Sequence, residues 1–200
     1  MSIQISHLAK AFDGKPVIAD LSLELPDTGI IALSGPSGCG KSTFLYLLAG
    51  LLSPDAGTIR GTDPKQVSMV FQEDRLLPWL SAIENIALVL ADPRLARDWL
   101  ARMELSEWAD HYPAGLSGGM RRRLALARAL AFPSRLLLLD EPFLGMDAEL
   151  RSHLYALIRE TARTRLVLLV THDAMDIEQL ADQVLLAGGP PLQIEPSWPD

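Results

Sequence analysis

Gly35, Gly40, Lys41 and Ser42 stand at the spacing G-x-x-x-x-G-K-[ST], within Gly35-Pro36-Ser37-Gly38-Cys39-Gly40-Lys41-Ser42-Thr43. Glycines let the backbone curl until several N–H groups point into one concavity. That concavity, together with the positive end of a following helix, suits phosphate oxygens. Lys41 is placed to reach β- and γ-phosphates as a point charge. The Ser42 hydroxyl is a hard oxygen suited to Mg²⁺, and the backbone around Thr43 is placed to serve an α-phosphate. The bland alternative is a glycine turn before an ordinary helix.

Asp140 and Glu141 follow four leucines, Leu136 to Leu139. Asp140 suits Mg²⁺, directly or through water. Glu141 is then free to polarise a water against a γ-phosphate. Taken alone, the two carboxylates could simply cap a strand end. His172 follows a second apolar run, Leu166 to Val170, where a γ-phosphate sensor would sit; a lone histidine is more often structural. Ser117-Gly118-Gly119 opens a helix with a hydroxyl and bare backbone N–H groups. Adjacent glycines there cost conformational entropy, which favours a ligand approaching the backbone over a simple cap. One chain thus carries two phosphate cradles, which suggests ATP held between two copies.

The elements that must position these groups alternate strand and helix. Gly29 to Leu33 reads as a buried strand before the glycine-rich loop, and Phe44 to Gly50 as a helix closed by glycine. Ile3 to Ile5 and Leu21 to Leu25 alternate as half-buried strands around a turn at Asp13-Gly14-Lys15-Pro16. Phe12, just before that turn, could stack on an adenine ring or enter the core. Val67 to Phe71 is a strand leading into Gln72. Ser81-Ala82-Ile83-Glu84 is a capping box. A helix is expected from Met120 to Leu130, another over 147–163, and a further one following Thr171-His172-Asp173 to about Ala181. Leu136 to Leu139 and Leu166 to Val170 read as central parallel strands. The expected fold is α/β, a mostly parallel core sheet flanked by helices. It has an N-terminal antiparallel β part and an inserted helical subdomain. The core is expected over 1–74 and 131–200 and the helical subdomain over about 75–130. In open sheets of this kind ligands bind beyond the carboxyl ends of the strands, where the loop, Asp140-Glu141 and His172 can meet.

Composition narrows the partners. The net charge is −7, and Arg121-Arg122-Arg123 is the one basic triplet, so a nucleic-acid partner is not expected. Cys39 is the single cysteine, which excludes a disulfide within the chain and suits a reducing cytosol. The N-terminus lacks the charged-then-apolar pattern of a signal peptide, and the apolar runs are too short to span a bilayer.

The order of these motifs resembles that of the ATP-binding cassette (ABC) ATPases, the nucleotide-driven subunits of membrane transporters. The resemblance runs through nearly the whole chain. It implies a P-loop NTPase fold and ATP with Mg²⁺ as cofactors. Gly35 to Thr43 corresponds to the first nucleotide motif and Gln72 to the glutamine that meets Mg²⁺ and couples to the membrane subunits. Leu116 to Met120 corresponds to the signature, Leu136 to Glu141 to the second nucleotide motif with its catalytic glutamate, Asp147 to the D-loop aspartate, and His172 to the switch histidine. Phe12 then falls where the adenine-stacking aromatic sits. Phe71 to Trp79, with Met120, resembles bacterial importers of the nitrate, sulfonate and taurine type. Leu144-Gly145-Met146-Asp147 departs from the usual small-residue D-loop. The implied partners are a second copy in an ATP-dependent dimer, two transmembrane permease subunits and, indirectly, a periplasmic solute-binding protein. The implied place is the cytoplasmic face of the bacterial inner membrane. Trp79 is a candidate anchor for the permease, or packs inside the helical subdomain. A non-transport ABC ATPase acting on nucleic acid or ribosomes is the alternative; its usual coiled coils, zinc modules or tandem cassettes are missing from this sequence. A small-molecule kinase would leave Ser117-Gly118-Gly119 unexplained.

Overall fold

The computed structural model describes residues 2–197. The chain divides into two compact units, one of residues 1–69, 134–141 and 155–200, the other of residues 70–133 and 142–154. The second unit therefore starts five residues earlier than the expected 75, and it also takes in the segment after Glu141.

The first unit holds both sheets. Strands β1 (Ile3–Phe12), β2 (Lys15–Leu25) and β4 (Ala56–Arg60) form an antiparallel sheet in the order β2-β1-β4. Irregular register between Ile5 and Ala11 bends β1. The second sheet runs β5-β6-β7-β3-β8-β9, with β3 (Gly29–Ser34), β5 (Val67–Val70), β6 (Leu136–Asp140), β7 (Leu166–Val170), β8 (Gln183–Gly188) and β9 (Gln193–Ser197). The pairs β6–β7, β7–β3 and β3–β8 are parallel. Every residue of β6 and β7 is buried, as continuous Leu/Val runs require when both faces of a parallel sheet are covered. Strand β9 pairs antiparallel to β8. Gly188-Gly189-Pro190-Pro191 lies at the turn of the hairpin that joins β8 to β9.

Helix α1 (Lys41–Leu48) packs Phe44, Leu45 and Leu48 against Leu33, Leu138 and Leu168, all essentially inaccessible. Each such side chain contributes about 1.5–3 kcal/mol on leaving water. Helices α5 (Ala148–Ala162) and α6 (Ala174–Leu180) complete the order.

The second unit contains α2 (Ala82–Ala87), α3 (Ala96–Arg102) and α4 (Gly118–Ala131). The expected capping box is formed: the Ser81 hydroxyl accepts from the Glu84 N–H, and the Glu84 carboxylate accepts from the Ser81 N–H at 2.7 Å. Asn85, fully buried, is held by three backbone carbonyls, those of Leu77, Leu80 and Ser81.

Candidate nucleotide site

Three neighbouring parallel strands deliver the chemistry to one edge of the sheet. Leu33 of β3 and Asp140 of β6 both pair with Val170 of β7. The glycine-rich loop, Asp140-Glu141 and Thr171-His172 therefore leave the sheet at one level.

Two glycines of the loop have no substitute. A Cβ on Gly35 would stand 2.1 Å from the Ala187 carbonyl oxygen of β8. Gly40, with φ +112°, would carry its Cβ to 3.0 Å from Val17. Cys39 between them is buried in the core, so of the expected loop contacts its own can come only from the backbone. Pro36, Ser37 and Gly38 are exposed at the loop tip. The Lys41 ammonium lies along the loop, donating to the carbonyls of Gly35 at 2.7 Å and Pro36 at 2.8 Å. A cation held on two carbonyls is ready to exchange them for phosphate oxygens.

Ser42 donates its hydroxyl to Asp140 at 2.9 Å. Oxygen ligands about 2.1 Å from Mg²⁺ in an octahedron sit roughly 3.0 Å apart along each edge, so this pair has the separation of two adjacent ligands. Among the described residues no three His, Cys, Asp or Glu side chains group to hold a metal. Mg²⁺ itself needs only one or two protein oxygens and takes the rest from water and phosphate. Asp140 is buried.

Glu141 follows at φ +48°, a left-handed conformation uncommon outside glycine and asparagine. Its N–H donates to the Val170 carbonyl at 2.9 Å. Its carboxylate meets the His172 Nδ1 at 2.8 Å, and the imidazole is largely exposed. The hydrogen bond to Glu141, then its charge, raise the His172 pKa above the ordinary value. Phe12 is exposed rather than in the core, with the Lys10 ammonium 5.6 Å from its ring centroid. Its face is available for stacking.

The remaining expected residues lie in the second unit. Ser117 and Gly118 are exposed at the start of α4, and the helix begins at Gly118, two residues before the expected Met120. The Ser117 hydroxyl accepts from the Met120 N–H at 3.2 Å, so in the free chain it is an N-cap. A Cβ on Gly119 would meet nothing within 4 Å, and one on Gly118 only the tip of Arg121 at 3.9 Å. The fold of this chain does not itself demand glycine at either position. Gln72 is exposed. Asp147 accepts from the Leu150 N–H at 2.9 Å and so caps α5. In the unusual stretch before it, Met146 is buried and Leu144 exposed. Trp79 is 69% exposed, so packing inside the helical unit does not account for it.

The sequence reading overlooked Arg122. It appeared only as the middle of a basic triplet, yet it is 5% exposed. Its guanidinium donates to the carbonyls of Phe71 and Gln72 and to that of Pro142, and faces Asp74 at 3.5 Å. The signal was its position on the face of α4 shared with Leu126 and Ala129, both buried.

Residues 18–144 match the family described as ABC transporter. The chain is 45% identical over 196 residues to the aliphatic sulfonates import ATP-binding protein SsuB 2 of Agrobacterium fabrum, covering 92% of this chain and 75% of that protein. It is 43% identical over 192 residues to SsuB 3 of Paraburkholderia xenovorans, covering 93% and 76%. A solved dimeric, post-hydrolysis ATP-binding cassette bound to ADP and Pi superposes with a TM-score of 0.82 at 24% identity, covering 92% of this chain and 93% of that one. That likeness is one of fold: the mostly parallel sheet with its flanking helices is shared with that cassette.

Proposed function

The chain belongs to the ABC transporter family, as a subunit that hydrolyses ATP with Mg²⁺, and from that premise we propose that it powers a bacterial importer of aliphatic sulfonates. Nitrate and taurine were the other solutes suggested by Phe71 to Trp79; the relatives named for sulfonate import favour the sulfonate class.

The observation that carries the hydrolytic assignment is the Glu141–His172 contact at 2.8 Å, beside the Ser42–Asp140 pair at 2.9 Å. Lys41 and the backbone of Gly35 to Thr43 hold the β- and γ-phosphates, and Phe12 stacks on the adenine. Ser42 and Asp140 would hold Mg²⁺, which would neutralise charge on the transferring phosphoryl group. Glu141 accepts the proton of the attacking water, and His172 keeps the Glu141 carboxylate oriented. Ser117, Gly118 and Gly119, together with Asp147, serve the nucleotide held by a second copy of the chain. The open space over Gly118 and Gly119 supports that role.

No helix among the described residues is long and apolar enough to cross a membrane. Transport runs through two transmembrane permease subunits, engaged through the surface around Gln72 to Glu84 with Trp79 as an anchor. A periplasmic solute-binding protein delivers the sulfonate. The subunit works at the cytoplasmic face of the inner membrane, with no nucleic acid involved.

The test is growth and radiolabelled uptake in the source bacterium. Deleting the coding sequence should abolish use of an alkanesulfonate as sole sulfur source while leaving growth on sulfate intact. Restoring wild type should rescue growth, and Lys41→Ala should not. Unchanged sulfonate uptake in the deletion strain would refute the solute assignment.

A further inference from the structure

His172 is a poor candidate for positioning by its own packing. Its side chain is 74% exposed, and among the described residues its one hydrogen-bonding contact on a side chain is the Glu141 carboxylate. An imidazole in water keeps one orientation only if the backbone beneath it is fixed.

Beneath it lies a buried polar cluster that the hydrolytic reading does not use. Asp176, in the first turn of α6, is 3% exposed. The Tyr155 hydroxyl donates to its Oδ1 at 2.5 Å, and the Thr171 hydroxyl to its Oδ2 at 2.9 Å. Thr171 is 1% exposed and Tyr155 8%. The Thr171 oxygen also accepts from the Asp173 N–H at 3.1 Å, and Asp173 in turn caps α6 by accepting from the Met175 N–H at 2.9 Å. His172 is thus pinned on both sides, at Thr171 and at Asp173. On the strand side, the Val170 carbonyl accepts from the Glu141 N–H. Tyr155 projects from a stretch of α5 whose Leu154, Ile158 and Ala162 are buried, so the hydroxyl that grips Asp176 stands on a rigid support.

A carboxylate in such a place is costly to bury, and apolar side chains of similar volume would serve the core at least as well. What the cluster supplies instead is direction: both oxygens are taken by hydroxyls whose geometry fixes the Thr171–Asp173 turn. We infer that Asp176, gripped by Tyr155 and Thr171, is a positioning residue that holds His172 against Glu141 for ATP hydrolysis. The inference rests on the roles proposed above for Glu141 and His172.

The test is steady-state ATP hydrolysis by the full chain with Mg²⁺, in a double-mutant cycle. Asp176→Asn and Tyr155→Phe are measured alone and in a His172→Ala background. Tyr155→Phe removes only a hydroxyl, so it remains decisive if Asp176→Asn folds poorly. Each single change should lower kcat about tenfold, as small misplacements of catalytic groups do, while KM for ATP stays within about twofold. In the His172→Ala background neither should lower kcat further, because the group they position is gone. Effects that multiply with that of His172→Ala would mean a purely structural cluster and overturn the inference. So would wild-type kcat in both single variants. If His172→Ala itself turns over at the wild-type rate, the role of His172 fails, an outcome distinct from failure of the positioning cluster alone.

Discussion

The contact between His172 and Glu141 has a consequence that can be read by titration. The carboxylate favours the imidazolium first through the hydrogen bond and then through its charge, with smaller contributions from the charges of Asp173 and Asp176. All three raise the pKa of His172 above 6.5. A group whose pKa is raised on folding stabilises the fold most fully when it is protonated in both states. The contribution of the pair is therefore complete below pH 6.5 and is lost as pH climbs through the higher folded midpoint. The imidazole is well exposed, so the gain is small and screened by salt. Histidine ring-proton NMR should place the midpoint of His172 above 6.5, and Glu141→Gln should bring it back toward that value. A midpoint unmoved by Glu141→Gln would show that the pair does not form in solution.

At the scale of elements, α4 is more than the carrier of a glycine pair. Arg122 reaches from it to the carbonyls of Phe71, Gln72 and Pro142, so one helix holds both the loop containing Gln72 and the segment just beyond Glu141. Arg122→Met would leave these carbonyls without that donor, while Asp74 keeps Arg121 at 3.8 Å, at a cost of about 1–3 kcal/mol. Arg122→Lys should recover only part of this, since a single ammonium cannot span the sites that a planar fork reaches. Urea unfolding monitored by circular dichroism measures both; a loss under about 1 kcal/mol for Arg122→Met would mean that the carbonyls find other donors.

Elements of this kind were unequally legible in the sequence. The glycine-rich loop, the two apolar strands and the capping box are local patterns, each fixed by a few adjacent residue types, and they stand where expected. Arg122 was hidden because a charged triplet reads as solvated unless its helical face is weighed. Asp176 was hidden because its partners, Tyr155 and Thr171, reach it only through the fold. Strand β9 was missed because a Gly-Gly-Pro-Pro run is equally good punctuation for a tail and for a hairpin. The boundary of the helical unit slipped because Pro142 to Leu154 joins it from beyond β6, across a sequence gap that no local pattern bridges.

At the scale of the whole molecule, the proposed sandwich would have one chain present half of each of two composite sites. On the proposed roles, the loop, Asp140, Glu141 and His172 would bind nucleotide in one copy, and Ser117-Gly118-Gly119 would close on it from another. Assembly then depends on how much negative charge the sandwich must enclose: ATP brings its own, Mg²⁺ offsets part, and Glu141 adds one more beside the γ-phosphate. Glutamine at 141 keeps the size and can still hydrogen-bond, but it is uncharged and a poor base. Turnover by Glu141→Gln should fall by roughly two or more orders of magnitude while ATP still binds. With the repulsion relieved and the exit by hydrolysis closed, ATP should trap Glu141→Gln as a dimer, whereas wild type returns to monomer between turnovers. Size-exclusion chromatography with light scattering in ATP, paired with phosphate release, reads both quantities. Hydrolysis at the wild-type rate would move the base elsewhere, with His172 next in reach. Collapsed turnover without a dimer would keep Glu141 as the base and shift the force that closes the sandwich onto the permease subunits.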